Sequence, residues 1–333
     1  MQAASSLLDE IKIEPLAAES LGVRSMCTYV ETPEVRILLD PGVALGPRFR
    51  LLPHPKEYRA LGECRARILE YASKAEVVTA SHYHFDHVSP PLHCDNVWTW
   101  SSREVAEQIY GDKILLLKDI REKINFSQRK RGWIFRRVLE PLAKRVLPCD
   151  GATFSFGDTK LSFSKPVVHG EEGEGLGWVL LLTIKRLNES FMYCPDVQGP
   201  ISKETFALIF SEKPDVAMIG GPPLYLAGFK VSEESVRLGI SNLAKLTSVV
   251  RSIILDHHLL RDVNWRSFAA PAYEEASKNH SQILTAAESL GQPIRILEAQ
   301  RQRLYESEPP SEAFQRWVRL PHEKRRLTEP PLC

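Results

Sequence analysis

The sequence lacks the paired-cysteine spacing of a zinc ribbon or a redox motif: its six cysteines (27, 64, 94, 149, 194 and 333) stand singly, with no CxxC. It also lacks a long apolar run. No stretch approaches the roughly 18–20 residues that a membrane helix needs, which excludes a spanning segment. No secretory leader is expected either, because MQAASSLLDEIKIEP carries acids and no apolar centre. These absences predict buried thiols in a cytoplasmic protein without membrane attachment, and leave the Asn-x-Ser triplets at Asn125, Asn188 and Asn279 without a role. Charge of one sign is scarce as well. Forty-three basic side chains face 42 acidic ones, a net +1, so any attraction to a polyanion has to be local. What is present is a globular composition, 43% hydrophobic and 26% charged over 333 residues, able to bury a core without staples.

Along the chain, strand-like and helix-like patterns intermix. Val23–Val30 and Val35–Leu39 read as paired strands, the second broken by Asp40-Pro-Gly. Glu57–Ala75 carries a helical apolar stripe, and Val77–Ala80 reads as a buried strand. Val97–Trp100 reads as a strand, followed by a helix from Ser101 and Glu104 to Tyr110. Two hairpins follow, Thr153–Phe156 with Leu161–Val168, and Trp178–Ile184 with Phe191–Tyr193. Val216–Ile219 and Val249–Leu255 are further strands, and Ser232 caps a helix. A last helix is expected from Pro271 to Gly291, then a strand at Ile294–Leu297. Consecutive hairpins in the middle do not fit a purely alternating βαβ chain, so two sheets with outer helices are expected.

Five strand-like runs end in Asp or His: at Asp40, at His82-Tyr-His84-Phe-Asp86-His87, at His169, at Asp196 and at His257-His258. Loops leaving strand ends converge on one rim of a sheet, where sites form. Imidazole nitrogen and carboxylate oxygen are ligands of zinc and similar divalent ions. A single strand histidine is most often a hydrogen-bonded core residue. Four metal-capable side chains within six positions would be mutually repelling or unsatisfied without a cation, which points to a metal site.

His82-x-His84-x-Asp86-His87 resembles the HxHxDH signature of the metallo-β-lactamase fold, and the order of the followers matches over roughly residues 20–300. SHYHFDH, DVQGP, IGGPP and LDHHLLRD look most like an uncharacterised archaeal branch of that superfamily. The resemblance implies a four-layer αββα sandwich over residues 1–305, with a basic helical insertion at 113–145 and a tail at 306–333. It implies one metal held by His82, His84 and His169, a second by Asp86, His87 and His257 or His258, with Asp196 bridging. Asp40 and Asp256 would hydrogen-bond behind the ligands. The last motif offers two histidines where the pattern asks for one ligand. His257, first off the strand, is the expected ligand; His258 would then face substrate as a proton donor.

Two cations a few ångströms apart would lower the pKa of a shared water toward about 7, giving a bridging hydroxide that attacks an ester. Asp86 would orient that nucleophile. Zinc is the default ion, manganese and iron the others compatible. His84 stands where flavo-diiron members of the superfamily carry Glu, which favours hydrolysis over oxygen reduction. The expected function is metal-dependent hydrolysis of a phosphoester or phosphodiester, with a carboxylic ester, thioester or lactone as the alternative.

The segment 113–145 holds eleven Lys/Arg and three Asp/Glu, a local +8 in a balanced chain. Its run from Gln128 to Arg137 mixes cations with aromatics, which suits an anionic small molecule or nucleic acid, with Arg129, Lys130 and Arg131 as candidate contacts. The plain alternative is a solvated helix face packed through Leu115, Leu116, Ile120, Ile134, Val138 and Leu142. Gly220-Gly221-Pro222-Pro223 reads as a tight loop, and His54, His93, His280 and His322 as structural or exposed. Asp256-His257-His258 also resembles the DHH phosphoesterase motif, but the early Asp-x-Asp of those enzymes is missing. A non-enzymatic, metal-stabilised nucleic-acid-binding module is the third reading. Against it, structural zinc sites are closed and usually rich in cysteine.

Overall fold

A computed structural model describes residues 7–92, 95–173 and 175–332. The first sheet takes its strands in chain order: β1 (Lys12–Pro15), β2 (Thr28–Glu31), β3 (Arg36–Leu39), β4 (Val77–Ala80), β5 (Ile114–Leu117) and β6 (Arg145–Pro148). β1 to β3 form an antiparallel meander, and β3 to β6 run parallel. Next come β7 (Thr153–Phe156) and β8 (Thr159–Phe163), then the two-stranded pair β9 (Val167–Val168) and β10 (Trp178–Val179). β11 (Leu182–Arg186), β12 (Glu189–Cys194), β13 (Val216–Gly220), β14 (Ser252–Asp256) and β15 (Gln282–Leu284) complete a second sheet of order β15-β14-β13-β12-β11-β8-β7.

Side-chain parity explains the layering. In the second sheet Phe191, Tyr193, Val216, Met218 and Ile254 join the core shared with the first sheet. The alternate positions Met192, Cys194, Ala217, Ile219, Ile253 and Leu255 join a second core under helices. A parallel strand buried on both faces needs apolar residues at every position, which is how these strands read in the sequence. The helices are α1 (Pro55–Lys74), α2 (Arg103–Tyr110), α3 (Phe126–Leu139), α4 (Lys203–Glu212), α5 (Glu233–Leu246), α6 (Trp265–Lys278), α7 (Ala286–Ser289), α8 (Arg301–Ser307), α9 (Glu312–Val318) and α10 (His322–Leu327). The architecture is an αββα sandwich. No described helix is long and apolar enough to cross a membrane.

Several elements depart from the sequence reading. Val97–Trp100 is a turn, because the Asp95 carboxylate accepts from Val97 N at 3.1 Å and Trp98 N at 3.2 Å, a local alternative to a ladder. The cap of α2 is Ser102, whose Oγ accepts from Val105 N, one position later than expected. Pro271 lies inside α6 instead of opening it, and Ile294–Leu297 is not a strand. Within 113–145 only α3 is helical. The apolar tetrapeptide Ile114–Leu117 slots between β4 and β6, where ladder bonds favour an extended chain whatever the flanking charges. Residues 306–332 carry α9 and α10, and Phe314 and Trp317 are buried in the main core instead of trailing as a tail. Cys27, Cys64, Cys149 and Cys194 are buried and unbridged. His93, Cys94 and Cys333 lie outside the described residues.

Candidate metal centre

Strands β3, β4, β9, β12 and β14 deliver the site, with His169 following β9. Asp40 follows β3, Ser81 and the His82–His87 loop follow β4, Asp196 follows β12, and His257 follows β14. Ligand-bearing loops gather in the crevice beyond the carboxyl ends of parallel strands. Leaving a strand abruptly requires unusual backbone: Asp40 (φ 43°), Asp196 (φ 51°) and His257 (φ 71°) all occupy the left-handed region. Each such conformation costs about 1–3 kcal/mol and persists only where the surroundings fix it. At Gly42 a Cβ would stand 2.3 Å from Val88 N and 2.5 Å from His87 N, so the Asp40-Pro-Gly break lets two loops touch backbone to backbone.

Asp196 is the hub. Its Oδ2 lies 2.7 Å from His169 Nε2, 3.1 Å from His82 Nε2, 3.4 Å from His87 Nε2 and 3.7 Å from His84 Nδ1. Its Oδ1 lies 2.8 Å from His257 Nε2 and 3.2 Å from His258 Nε2. Asp86 Oδ2 completes the group, 3.8 Å from His257 Nε2. The structure thus brings together every expected ligand. His84, Asp86 and His258 are partly exposed, whereas His82, His87, His169, Asp196 and His257 are buried.

Side chains behind the cluster fix the imidazoles. Asp40 Oδ2 lies 3.0 Å from His87 Nδ1, while Asp40 Oδ1 accepts from Ser81 N at 2.8 Å. Ser81 Oγ, which donates to Asp40, lies 3.0 Å from His82 Nδ1. A carboxylate only accepts, so Nδ1 of His87 carries a proton, which leaves Nε2, the nitrogen facing Asp196, as the one open to a metal. Asp256, in contrast, touches no imidazole. It accepts from the main-chain N–H of Ser20, His257 and Ala286, and so holds the turn that presents His257.

Five contacts were invisible in the sequence. Glu19 Oε2 lies 2.9 Å from His257 Nδ1, and its other oxygen accepts from Arg261 Nε. Arg261 also donates to Tyr225 Oη at 3.1 Å, and that hydroxyl lies 3.4 Å from His258 Nδ1. Gln128 of α3 lies 3.3 Å from His84 Nε2 through its amide nitrogen. Of the candidate contacts on α3, Arg129 and Lys130 are exposed, with Arg129 bonded to the Arg121 carbonyl; only Arg131 packs on the signature loop, over Phe85. Gly220 and Gly221 serve close packing: their Cβ atoms would stand 2.9 Å from Asp196 N and 2.6 Å from Leu259 Cβ.

Electrostatics divides the imidazoles. Burial drives the His82 and His84 pKa values down, and burial followed by the Arg261 charge pushes His258 down to about 3. Burial also opposes charge on His257, but Glu19 and Asp196 outweigh it and lift His257 to about 9. His87 is raised well above its ordinary value in the same way, by Asp196 and Asp40 against burial. For Asp196, burial favours the neutral acid, yet His87, His169 and His257 hold it well below the usual carboxylate range.

The donor set suits divalent cations. His169 Nδ1, Asp196 Oδ1 and His258 Nε2 are buried polar atoms without a hydrogen-bond partner. Ligands at 2.0–2.2 Å from a tetrahedral ion stand about 3.3–3.6 Å apart, which the 2.7–3.8 Å spacings here bracket. His82, His84, His169 and Asp196 form one such group, and Asp86, His87 and His257 another, so the cluster could coordinate one or two divalent metals.

No family model matches the chain. A UPF0282 protein of the archaeon Methanopyrus kandleri is 43% identical over 88% of this chain and 99% of its own length. Among solved structures, unliganded yeast PDE1 overlays with a TM-score of 0.52 at 14% identity, covering 85% of this chain and 99% of the other. The metallo-β-lactamase fold protein YhfI of Bacillus subtilis gives a TM-score of 0.48 at 14% identity, over 83% and 96%. The chain belongs to the UPF0282 family, carried on the αββα sandwich described above.

Proposed function

We propose that this protein is a metal-dependent hydrolase of phosphoesters, phosphodiesters first among them. The observation that carries the reading is one carboxylate, Asp196, within 4.0 Å of six imidazoles and no thiolate. In this reading His82, His84 and His169 hold one ion, Asp86, His87 and His257 the other, and Asp196 is shared. Bound divalent ions would supply Lewis acidity, acidifying water and stabilising negative charge on the ester oxygens.

The chain's own groups do the rest. Asp40 and Glu19 hold a proton on Nδ1 of His87 and His257, so that Nε2 is the nitrogen each would offer to a metal, giving up its own proton on binding. His258 is anchored differently, against the Tyr225 hydroxyl, and its Nε2 has no partner. With its pKa pushed down it is a neutral imidazole, a base placed to take a proton from the attacking water and relay it to the departing oxygen. Asp86, partly exposed and 3.5 Å from Arg261 Nη2, stays ionised and orients the attacking water. Hydrolysis adds water across the P–O bond: the hydroxyl goes to phosphorus, and the other proton goes to the leaving alcohol.

The test is turnover of bis(4-nitrophenyl) phosphate, 4-nitrophenyl acetate and a thioester by metal-loaded wild type and Asp196→Ala, with metal counted by elemental analysis. Diester turnover that disappears together with bound metal in the variant supports the reading. Turnover of carboxylic esters or thioesters alone replaces the substrate class, and undiminished turnover in the variant defeats the shared role of Asp196.

A further inference from the structure

Two arginines beside the metal centre have no carboxylate within ion-pairing distance among the described residues. Arg48 lays its guanidinium 4.4 Å over Tyr225, the ring that touches His258, and 4.8 Å over Phe49. Its Nη1 is buried without a hydrogen-bond partner. Arg131 lies 4.5 Å over Phe85, between the signature residues His84 and Asp86, and its one bond among the described residues is a long one, from Nη1 to the Tyr83 carbonyl at 3.5 Å. Other buried arginines are satisfied: Arg24 by Glu298, Arg261 by Glu19, Arg301 by Glu57, and Arg65 by Ser89 and the Thr99 carbonyl.

A half-buried cation without a carboxylate partner is a net cost unless a ligand neutralises it. Burial lowers the pKa of both Arg48 and Arg131, outweighing the more distant carboxylates of Glu298 and Asp262 at Arg48 and of Asp86 at Arg131. A guanidinium resting on an aromatic face keeps its N–H edge free, and that edge matches two phosphate oxygens at once. The supporting rings are themselves open: Phe49 is 39% and Phe85 37% exposed. A third pair of the same kind, Phe229 with Lys230, sits on the loop that carries Tyr225. One clamp thus adjoins the signature loop and the other adjoins the last motif, with the Asp196 cluster touching both segments.

We propose that Arg48 and Arg131 clamp two phosphates of a single-stranded oligonucleotide, one on either side of the diester at the metal centre, while Phe49 and Phe85 stack its bases. The inference rests on the phosphodiester reading above and narrows its substrate class. A monoester offers no second phosphate for the second arginine. A duplex keeps its bases paired and cannot offer their faces to the two rings.

The experiment is fluorescence anisotropy of a labelled single-stranded oligouridylate of about eight nucleotides, titrated with full-length protein between about 50 and 200 mM salt. Arg48→Gln and Arg131→Gln are each expected to weaken binding about five- to tenfold and to lower the salt slope by about 0.7, the value for one phosphate contact on a single strand. Arg131→Lys should keep the slope and lose part of the affinity. Arg316→Gln, on the far helix α9, should change neither. Wild-type affinity in both Gln variants, equal affinity for a duplex of the same length, or no binding at low salt would each overturn the proposal. Diester turnover without oligonucleotide binding overturns this inference alone; oligonucleotide binding without turnover supports the clamps and removes the hydrolase reading.

Discussion

Glu19 and His257, 238 positions apart in the chain, meet through a 2.9 Å contact between Oε2 and Nδ1. The contact does two things. It holds a proton on Nδ1 of His257 and turns Nε2 toward Asp86 and Asp196, and it shares its carboxylate with Arg261, which itself reaches Asp86. Carboxylates placed behind a metal-binding histidine typically carry a 10- to 100-fold effect on metal affinity, an order of magnitude to expect of roughly this size here. Glu19→Gln should therefore lower zinc or manganese affinity about tenfold or more at the position formed by Asp86, His87 and His257, leaving the His82–His84–His169 position filled. Elemental analysis after gel filtration should show about one equivalent lost. Full metal content in the variant would refute the positioning role.

Gly42 sets the approach of the two loops. Alanine there would place its Cβ 2.3 Å from a backbone nitrogen of the signature loop, where no side-chain rotation relieves the clash. Gly42→Ala should destabilise the fold by about 1–3 kcal/mol and weaken metal binding, because His87 lies on the displaced loop. Urea denaturation with a metal titration checks both, and an unchanged midpoint with unchanged metal content would show that the loops move apart freely.

Much of the site was legible because ligand chemistry is local. His82, His84, Asp86 and His87 lie within six positions, and Asp40, His169, Asp196 and His257 each stand at the end of an apolar run. Glu19 was not legible, because a lone acid in Ala-Ala-Glu-Ser carries no pattern; only the fold of β14 against the N-terminal turn brings it to His257. Tyr225 and Arg261 were hidden for the same reason. β5 was misread since Ile114–Leu117 is flanked by lysines, and periodicity over four apolar residues cannot separate a buried strand from a helix. Strand pairing between β4 and β6 decides it.

Acid should act on the fold through Glu298. Burial favours its neutral form, but the Arg24 guanidinium, bonded through Nε and Nη2 at 2.6 Å each, outweighs burial and lowers its pKa. A carboxyl lowered in the folded state contributes stability above its unfolded pKa of about 4.3, and that contribution is lost as pH falls through the folded value. Glu298→Gln should be less stable than wild type by about 3 kcal/mol near neutrality, as expected of a broken buried pair. The gap should stay constant between about pH 6 and 8 and narrow below about 4.5. Urea midpoints across that range measure it, and a gap independent of pH would show that the pair does not titrate with folding.

Trp317 tests whether the C-terminal helices are part of the folding unit. Its indole stands edge-on to Tyr58 of α1, with ring centroids 5.7 Å apart, and its Nε1 donates to the Thr328 carbonyl at 3.0 Å. Phe314 is fully buried beside it. α1 is also tied to this region by the buried Glu57–Arg301 pair and by His54, which caps the helix and bonds the Glu308 carbonyl. Trp317→Ala should cost about 3–5 kcal/mol, the range for emptying a buried aromatic site. None of these contacts reaches the Asp196 cluster, so the variant should lose thermal stability yet hold as much metal as wild type below its midpoint. A loss of metal at temperatures where the variant is folded would mean that the helical segment supports the site directly; an unchanged midpoint would mean that it packs without contributing to stability.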